Sequence, residues 1–165
     1  MKENKYKNVA KFLIITQNLL IAFGIIAATA VIINGFSKMN STGDTTLSFF
    51  INIIIFSIGT SSLVLILYNL KLILKSVLKV NPFTMSNVKS LKNIAICCFV
   101  ITSCYLINFF HNNQFKDFSL ISIDSKGIHT DMEFLIFSFT GLFVLILAQV
   151  YKQAVEVKEE NDYTV

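Results

Sequence analysis

His129, Asp131 and Glu133 alternate along the chain, so on an extended strand the three side chains share one face, as nitrogen and oxygen donors to a metal would need. His111 approaches from the other end of the same polar segment. Four such donors in a short segment between apolar blocks are ordinarily solvated, and we expect no metal site. Cys97 and Cys98 are adjacent, and Cys104 lies two helical turns on. Adjacent cysteines do not easily share a disulfide or a tetrahedral site, and thiols in an apolar helix behave as small hydrophobes. The sequence holds no nucleophile–base pair, Gly-rich phosphate loop or H-E-x-x-H pattern. The expectation is a protein with no catalytic residues and no cofactor, and not an enzyme.

The elements that carry these residues are unlike those of a water-soluble domain. Of 165 residues, 54% are hydrophobic and 15% charged, against roughly 25% charge in ordinary soluble domains. The mean hydropathy is +0.66. Four blocks, residues 12–36, 47–70, 93–110 and 134–151, contain no Lys, Arg, Asp or Glu and together make up half the chain. As helices they measure about 27 to 37 Å, enough to cross a hydrocarbon layer of about 30 Å. A membrane barrel would instead need segments of about ten residues alternating in polarity, whereas these blocks are apolar on every side. The fold class predicted is all-α: an integral membrane protein of four transmembrane helices forming one domain over residues 1–165.

Charge placement orients the spans. All fourteen basic residues are Lys, and Trp and Arg are absent, a usage that AT-rich bacterial coding produces. Lys2, Lys5, Lys7 and Lys11 precede the first block, and Lys71, Lys75, Lys79, Lys89 and Lys92 lie around the second connection. Lys152 and Lys158 follow the last block, leaving three Lys for the other two connections. Short Lys-rich loops stay cytoplasmic, because moving them across the membrane opposes the potential and forfeits contact with anionic lipid. Both termini are therefore expected in the cytoplasm, as a multi-pass protein of the cell membrane. Ala28-Thr29-Ala30 resembles a signal-peptide cleavage site, but the apolar run continues through Val31-Ile32-Ile33 and is too long for a signal core. A net charge of +4 and a pI near 9.0 do not signal direct nucleic-acid binding, since the Lys residues gather on no soluble module.

The connections differ in character. Residues 37–46 are polar and rich in turn formers, predicting a short link between the first two spans. In residues 111–133, alternation through Phe118-Ser119-Leu120-Ile121-Ser122-Ile123 and the turn-like Asp124-Ser125-Lys126-Gly127 predict a small hairpin or interfacial flap. The second span is expected to run on through Leu70 to Lys79 as a helix at the membrane surface. Lys71, Lys75 and Lys79 then fall on one outward face. Pro82 stops it, and Thr84 or Ser86 caps a helix entering the third span through Val88, Leu91 and Ile94. The fourth span is expected to continue into the tail until Asn161-Asp162. Polar groups inside the spans are neutral, including Gln17, Asn18, Asn52, Thr60, Ser62, Thr102, Asn108 and Thr140. They read as packing groups, with hydroxyls bonding across helices and Gly24, Gly59 and Gly141 permitting close approach. A proton-coupled exporter would need an ionisable group at that depth, and the four blocks have none.

Asn81-Pro82-Phe83, followed by Asn87-Val88 and Leu91, forms one signature; Leu147-Ala148-Gln149-Val150-Tyr151 with Glu159-Glu160-Asn161-Asp162-Tyr163-Thr164-Val165 forms a second. Together, over essentially the whole chain, they resemble domain-of-unknown-function family 2975, which comprises small bacterial four-helix membrane proteins. The sequence departs from that pattern at Gln149, Ala154 and Tyr163, where an acidic residue, Gly and Leu are common. The resemblance implies no known enzymatic activity. It implies an association, through neighbouring genes, with a small helix-turn-helix transcriptional regulator.

The functional expectation is a regulatory or scaffolding membrane protein that binds such a regulator in the cytoplasm. Its expected partner or lipid contacts are Lys71, Lys75, Lys79, Asn81, Pro82, Phe83, Glu159, Glu160, Asp162, Thr164 and Val165. Anionic lipids and a second copy of the chain are further candidate partners. A bacteriocin-immunity or envelope-stress protein is the alternative, and a transporter subunit the third.

Overall fold

The computed structural model describes residues 2–42, 46–79, 82–111, 122–124, 127–129 and 131–163. Four long helices dominate: α1 (Lys2–Thr42), α2 (Thr46–Leu78), α3 (Met85–His111) and α4 (Glu133–Tyr163). Two short strands, β1 (Ser122–Asp124) and β2 (Gly127–His129), pair antiparallel between α3 and α4, with Ile123 opposite Ile128. The hairpin expected from the alternating sequence is therefore present over these six residues, and residues 112–121 lie outside the description. Each of the four helices has a stretch long and apolar enough to cross a membrane. Helix is the form this composition dictates, because a spanning segment must satisfy every backbone N–H and C=O internally.

The helices are longer than the apolar blocks. α1 continues through Ser37 to Thr42, into the segment expected to be a link, since nothing before Gly43 interrupts it. α2 runs without a break to Leu78, so Lys71 and Lys75 ride on the last turns of the second span itself, followed by Lys79 in the turn beyond. Pro82 stops it as predicted, and Thr84 sits at the N-cap of α3, its carbonyl receiving the N–H groups of Asn87 at 3.0 Å and Val88 at 3.3 Å. α4 passes Asn161 and Asp162 and ends at Tyr163. Asn and Asp are poor helix formers rather than breakers, and did not stop it.

Among the described residues the helices approach one another in chain order: α1 with α2, α2 with α3, α3 with α4. The result is a row rather than a closed bundle, with α3 the best covered member. Its Ile94, Ala95, Cys97, Cys98, Ile101 and Cys104 are buried. The three thiols are free, in keeping with their reading as small hydrophobes. Outward faces are apolar, with Phe23 71% and Leu47 73% exposed, a surface that suits lipid and not water.

Two expectations about packing are corrected. Hydroxyls mostly bond back to their own helix, Thr16 to Phe12 O, Thr60 to Phe56 O, Ser62 to Ile58 O and Thr140 to Ile136 O, at 2.7–3.0 Å. A carbonyl four residues back is always within reach, whereas a partner helix rarely is. Thr102 reaches a neighbour as well, approaching Phe134 O at 3.4 Å while bonding Cys98 O at 3.0 Å. Of the three glycines expected at crossings, Gly141 alone sits at one: a Cβ there would lie 3.2 Å from Cys98 Cβ and from the Phe99 ring, while Gly24 and Gly59 have open space. Gly141→Leu should therefore separate α3 from α4 and cost about 1–3 kcal/mol, and Gly24→Leu should stay within about 0.5 kcal/mol. Denaturant unfolding of the two variants in detergent micelles checks this.

Candidate functional site

Polar side chains that link one element to another concentrate at the end of the row that carries the Lys residues. Two features of the sequence put them there. Pro82 ends α2 and leaves a connection whose carbonyls have no helical donors, and Asn side chains sit near the ends of the apolar blocks, where an amide can reach a neighbouring helix. The Pro82 carbonyl accepts from the Thr84 N–H at 3.0 Å, the Asn87 side-chain amide, and the Tyr151 hydroxyl at 2.7 Å. Asn87, only 2% exposed, also donates to Ser76 Oγ on α2, whose hydroxyl bonds Ile73 O at 2.9 Å. The Tyr151 ring stacks on Phe83 with centroids 5.4 Å apart and planes inclined by 21°. One carbonyl and one ring pair thus join the end of α2, the connection, the start of α3 and α4.

A second set of polar contacts lies one to two turns further into the apolar region. Asn93 Nδ2 donates to Asn69 Oδ1 at 3.4 Å, joining α3 to α2, and Asn69 Nδ2 bonds Leu65 O at 2.8 Å. Lys71 Nζ donates to Asn18 Oδ1 at 2.7 Å, joining α2 to α1. Two of the three neighbouring helix pairs, α1–α2 and α2–α3, therefore have a polar tie near this end, and α4 is tied to the connection through Pro82.

The residues singled out from sequence divide accordingly. Pro82 and Phe83 are brought together with Tyr151. Lys71 is not turned outward as expected, because its long stem lets the ammonium reach the Asn18 amide; Lys75 and Lys79 are exposed. Glu159, Glu160 and Asp162 are exposed on the last two turns of α4, beyond the Tyr151 contact, and Lys152 pairs with Glu156 at 3.2 Å within the same helix. Asn81, Thr164 and Val165 lie outside the described residues. Asn87 and Tyr151, the two side chains that do the joining, stand out in the sequence as members of the two signatures alone. The available signal was their chemistry: an amide and a phenol beside a chain break at the edge of an apolar block.

Among the described residues, no three His, Cys, Asp or Glu side chains converge as metal ligands would. His111 ends α3 and Glu133 begins α4, at the opposite end of the row from the Pro82 cluster. The polar atoms of that cluster are engaged with one another, so its chemistry is positional: it fixes where Phe83, 44% exposed, and the part of α4 beyond the buried Val155 are presented. Asn87→Ala should lower stability by about 1–3 kcal/mol, because it removes the donor to both Pro82 and Ser76. Tyr151→Phe keeps the ring stack and should cost about 1 kcal/mol. A larger cost for Tyr151→Phe than for Asn87→Ala in micelle unfolding would contradict this geometry.

The family described as Protein of unknown function (DUF2975) matches residues 26–165, which include both signatures and leave out the first half of α1. No curated protein and no solved structure matches the chain. The two stretches that distinguish the sequence are thus joined physically at Pro82 and Tyr151, and the chain belongs to this family of unknown function.

Proposed function

We propose that this protein is a regulatory or scaffolding membrane protein, without catalytic activity of its own, that holds a soluble partner at its Lys-rich end. That end faces the cytoplasm and both termini lie there, on the Lys asymmetry of the connections. The partner is a helix-turn-helix transcriptional regulator, the class that the family resemblance associates with such chains.

What carries the reading is the contrast between the two parts of α4. Up to Val155 the helix is anchored, Tyr151 through Phe83 and the Pro82 carbonyl and Val155 by complete burial; beyond it, Val157, Glu159, Glu160 and Asp162 are exposed. Acidic residues crowd a helix C-terminus that already carries partial negative charge, and the last turn of α4 contains no basic residue. A basic surface on a partner compensates that charge. The exposed Lys75 and Lys79 offer a second, opposite charge nearby, to the partner or to anionic lipid, each Lys contributing on the order of 1 kcal/mol at such a surface.

Protein solubilised from its own cells should co-purify with a helix-turn-helix regulator. Removing residues 159–165 should abolish that capture while leaving four inserted helices, as judged by thiol labelling. Cys introduced at Ser41 should react with an impermeant reagent from outside the cell, and a reporter fused after Val165 should be active inside. Purification that enriches no such regulator, together with unchanged transcription on deletion of the gene, contradicts the regulatory reading; reversed labelling contradicts the orientation.

A further inference from the structure

α4 is the end member of the row and packs, among the described residues, on α3 and on the connection before it. Its inward face is marked by Gly141, whose Cβ position lies against Cys98 and Phe99 of α3, and by Ala148 and Val155, both fully buried and each seven residues further on. Two residues beyond each of these, about 200° around the helix, a second seam faces outward. It runs through Phe143, Leu147, Val150, Ala154, Val157 and Asn161, all exposed, at alternating spacings of four and three over about 27 Å. That is the spacing at which one helix packs lengthwise on another. Inside the span an exposed apolar face meets lipid, but past Tyr151, where the last apolar block ends, it meets water. Between Lys152 and Asp162 the apolar residues are Ala154, Val155 and Val157. Val155 is buried, while Ala154 and Val157 line an open groove beside Phe83.

We propose that this seam is the interface of a parallel, two-fold dimer, its occupant being α4 of a second copy of the chain. Lipid covers Phe143 and Leu147 but not Ala154 and Val157, and a soluble protein covers the second pair but not the first. A spanning helix that continues into water covers all four, and α4 of a second copy is such a helix with the matching seam. Copies inserted in the same orientation present their α4 helices in parallel, and the polar residues of α4 suit that arrangement. Asn161 meets its counterpart in the other copy, an amide that both donates and accepts at a seam position where such a pair fixes register. Lys158 of one copy lies beside Gln153 of the other, an ammonium against an amide carbonyl, and no like charges of α4 face each other across the seam. Glu156, Glu159 and Asp162 fall on the remaining faces. A neighbouring register through Gln153, Val157 and Glu160 would bury an amide and a carboxylate, which sets the seam on Ala154 and Val157. The dimer leaves the outer acidic residues accessible and stands whether or not a regulator binds them.

The test uses the purified full chain in liposomes, with no regulator present. Subunit counting by photobleaching should find two copies together, and Val157→Glu, which sets two carboxylates face to face, should raise the dissociation constant about tenfold or more. Val157→Leu should keep the dimer. Under mild oxidation Val157→Cys and Ala154→Cys should link two chains, whereas Lys152→Cys, on the outer face, and the unmodified chain, whose three thiols are buried, should not. In membranes of the native cells the two seam variants should link to a second copy and not to a different polypeptide. The cysteine variants require no loss of association, so they decide the matter if Val157→Glu fails to insert. Monomers at every protein density, equal association of Val157→Glu and the unmodified chain, cross-linking as strong from Lys152→Cys as from Val157→Cys, or a different polypeptide linked at Val157→Cys would each overturn the proposal.

Discussion

The Pro82 carbonyl oxygen is the point on which the arrangement of this protein depends. A proline after α2 removes any continuation of the helix and leaves a chain break beside apolar surroundings, where an unpaired carbonyl is costly. The break is satisfied from three directions at once, by the backbone of Thr84, the amide of Asn87 and the phenol of Tyr151. Each donor belongs to a different part of the structure. The local requirement to pair one oxygen thereby becomes a long-range tie, because Tyr151 is 69 residues away in sequence. Its ring, held by the same contact, stacks on Phe83 and sets the direction in which α4 leaves the apolar region.

A row in which, among the described residues, each helix packs against its chain neighbours has little hydrophobic reason to be ordered in lipid, since lipid tails are as apolar as the helix faces. Order is supplied instead by close backbone approach and by amide bonds. Gly141 permits the first between α3 and α4, while Asn93–Asn69 and Lys71–Asn18 provide the second. Those amide bonds lie toward the Lys-rich end, and α2 and α3 enclose a groove at the other. The two ends thus have different physical characters: one is held by polar pairing between elements, and at the other α2 and α3 leave space between them.

Much of this was legible in the sequence. Charge-free blocks of about 18 to 25 residues specify spanning helices almost by length alone, and Pro82 and Thr84 mark the break between α2 and α3. The short hairpin showed itself by alternation around Ile123. What remained hidden were contacts that depend on how helices meet. Periodicity says nothing in a block that is apolar all round, so neither the row arrangement nor the face of α3 that is buried could be derived. Lys71 looked like a solvated residue because its spacing matched Lys75 and Lys79; its partner Asn18 is 53 residues away. Hydroxyl residues seemed the natural cross-helix donors, yet a carbonyl of their own helix is nearer, and the longer Asn amides make the ties instead. Asn87 and Tyr151 were visible as members of two signatures, and only the fold reveals that these share one acceptor.

The central claim is that Asn87 and Tyr151 act through the same oxygen. A double-mutant cycle with Asn87→Ala and Tyr151→Phe, read by denaturant unfolding in micelles, tests it most directly. Each single variant leaves the other donor on Pro82, whereas the double variant leaves only the Thr84 N–H. The double variant should therefore lose about 0.5–1 kcal/mol more than the sum of the singles. Additivity within about 0.3 kcal/mol would mean that the two side chains stabilise the protein independently, and would contradict the account.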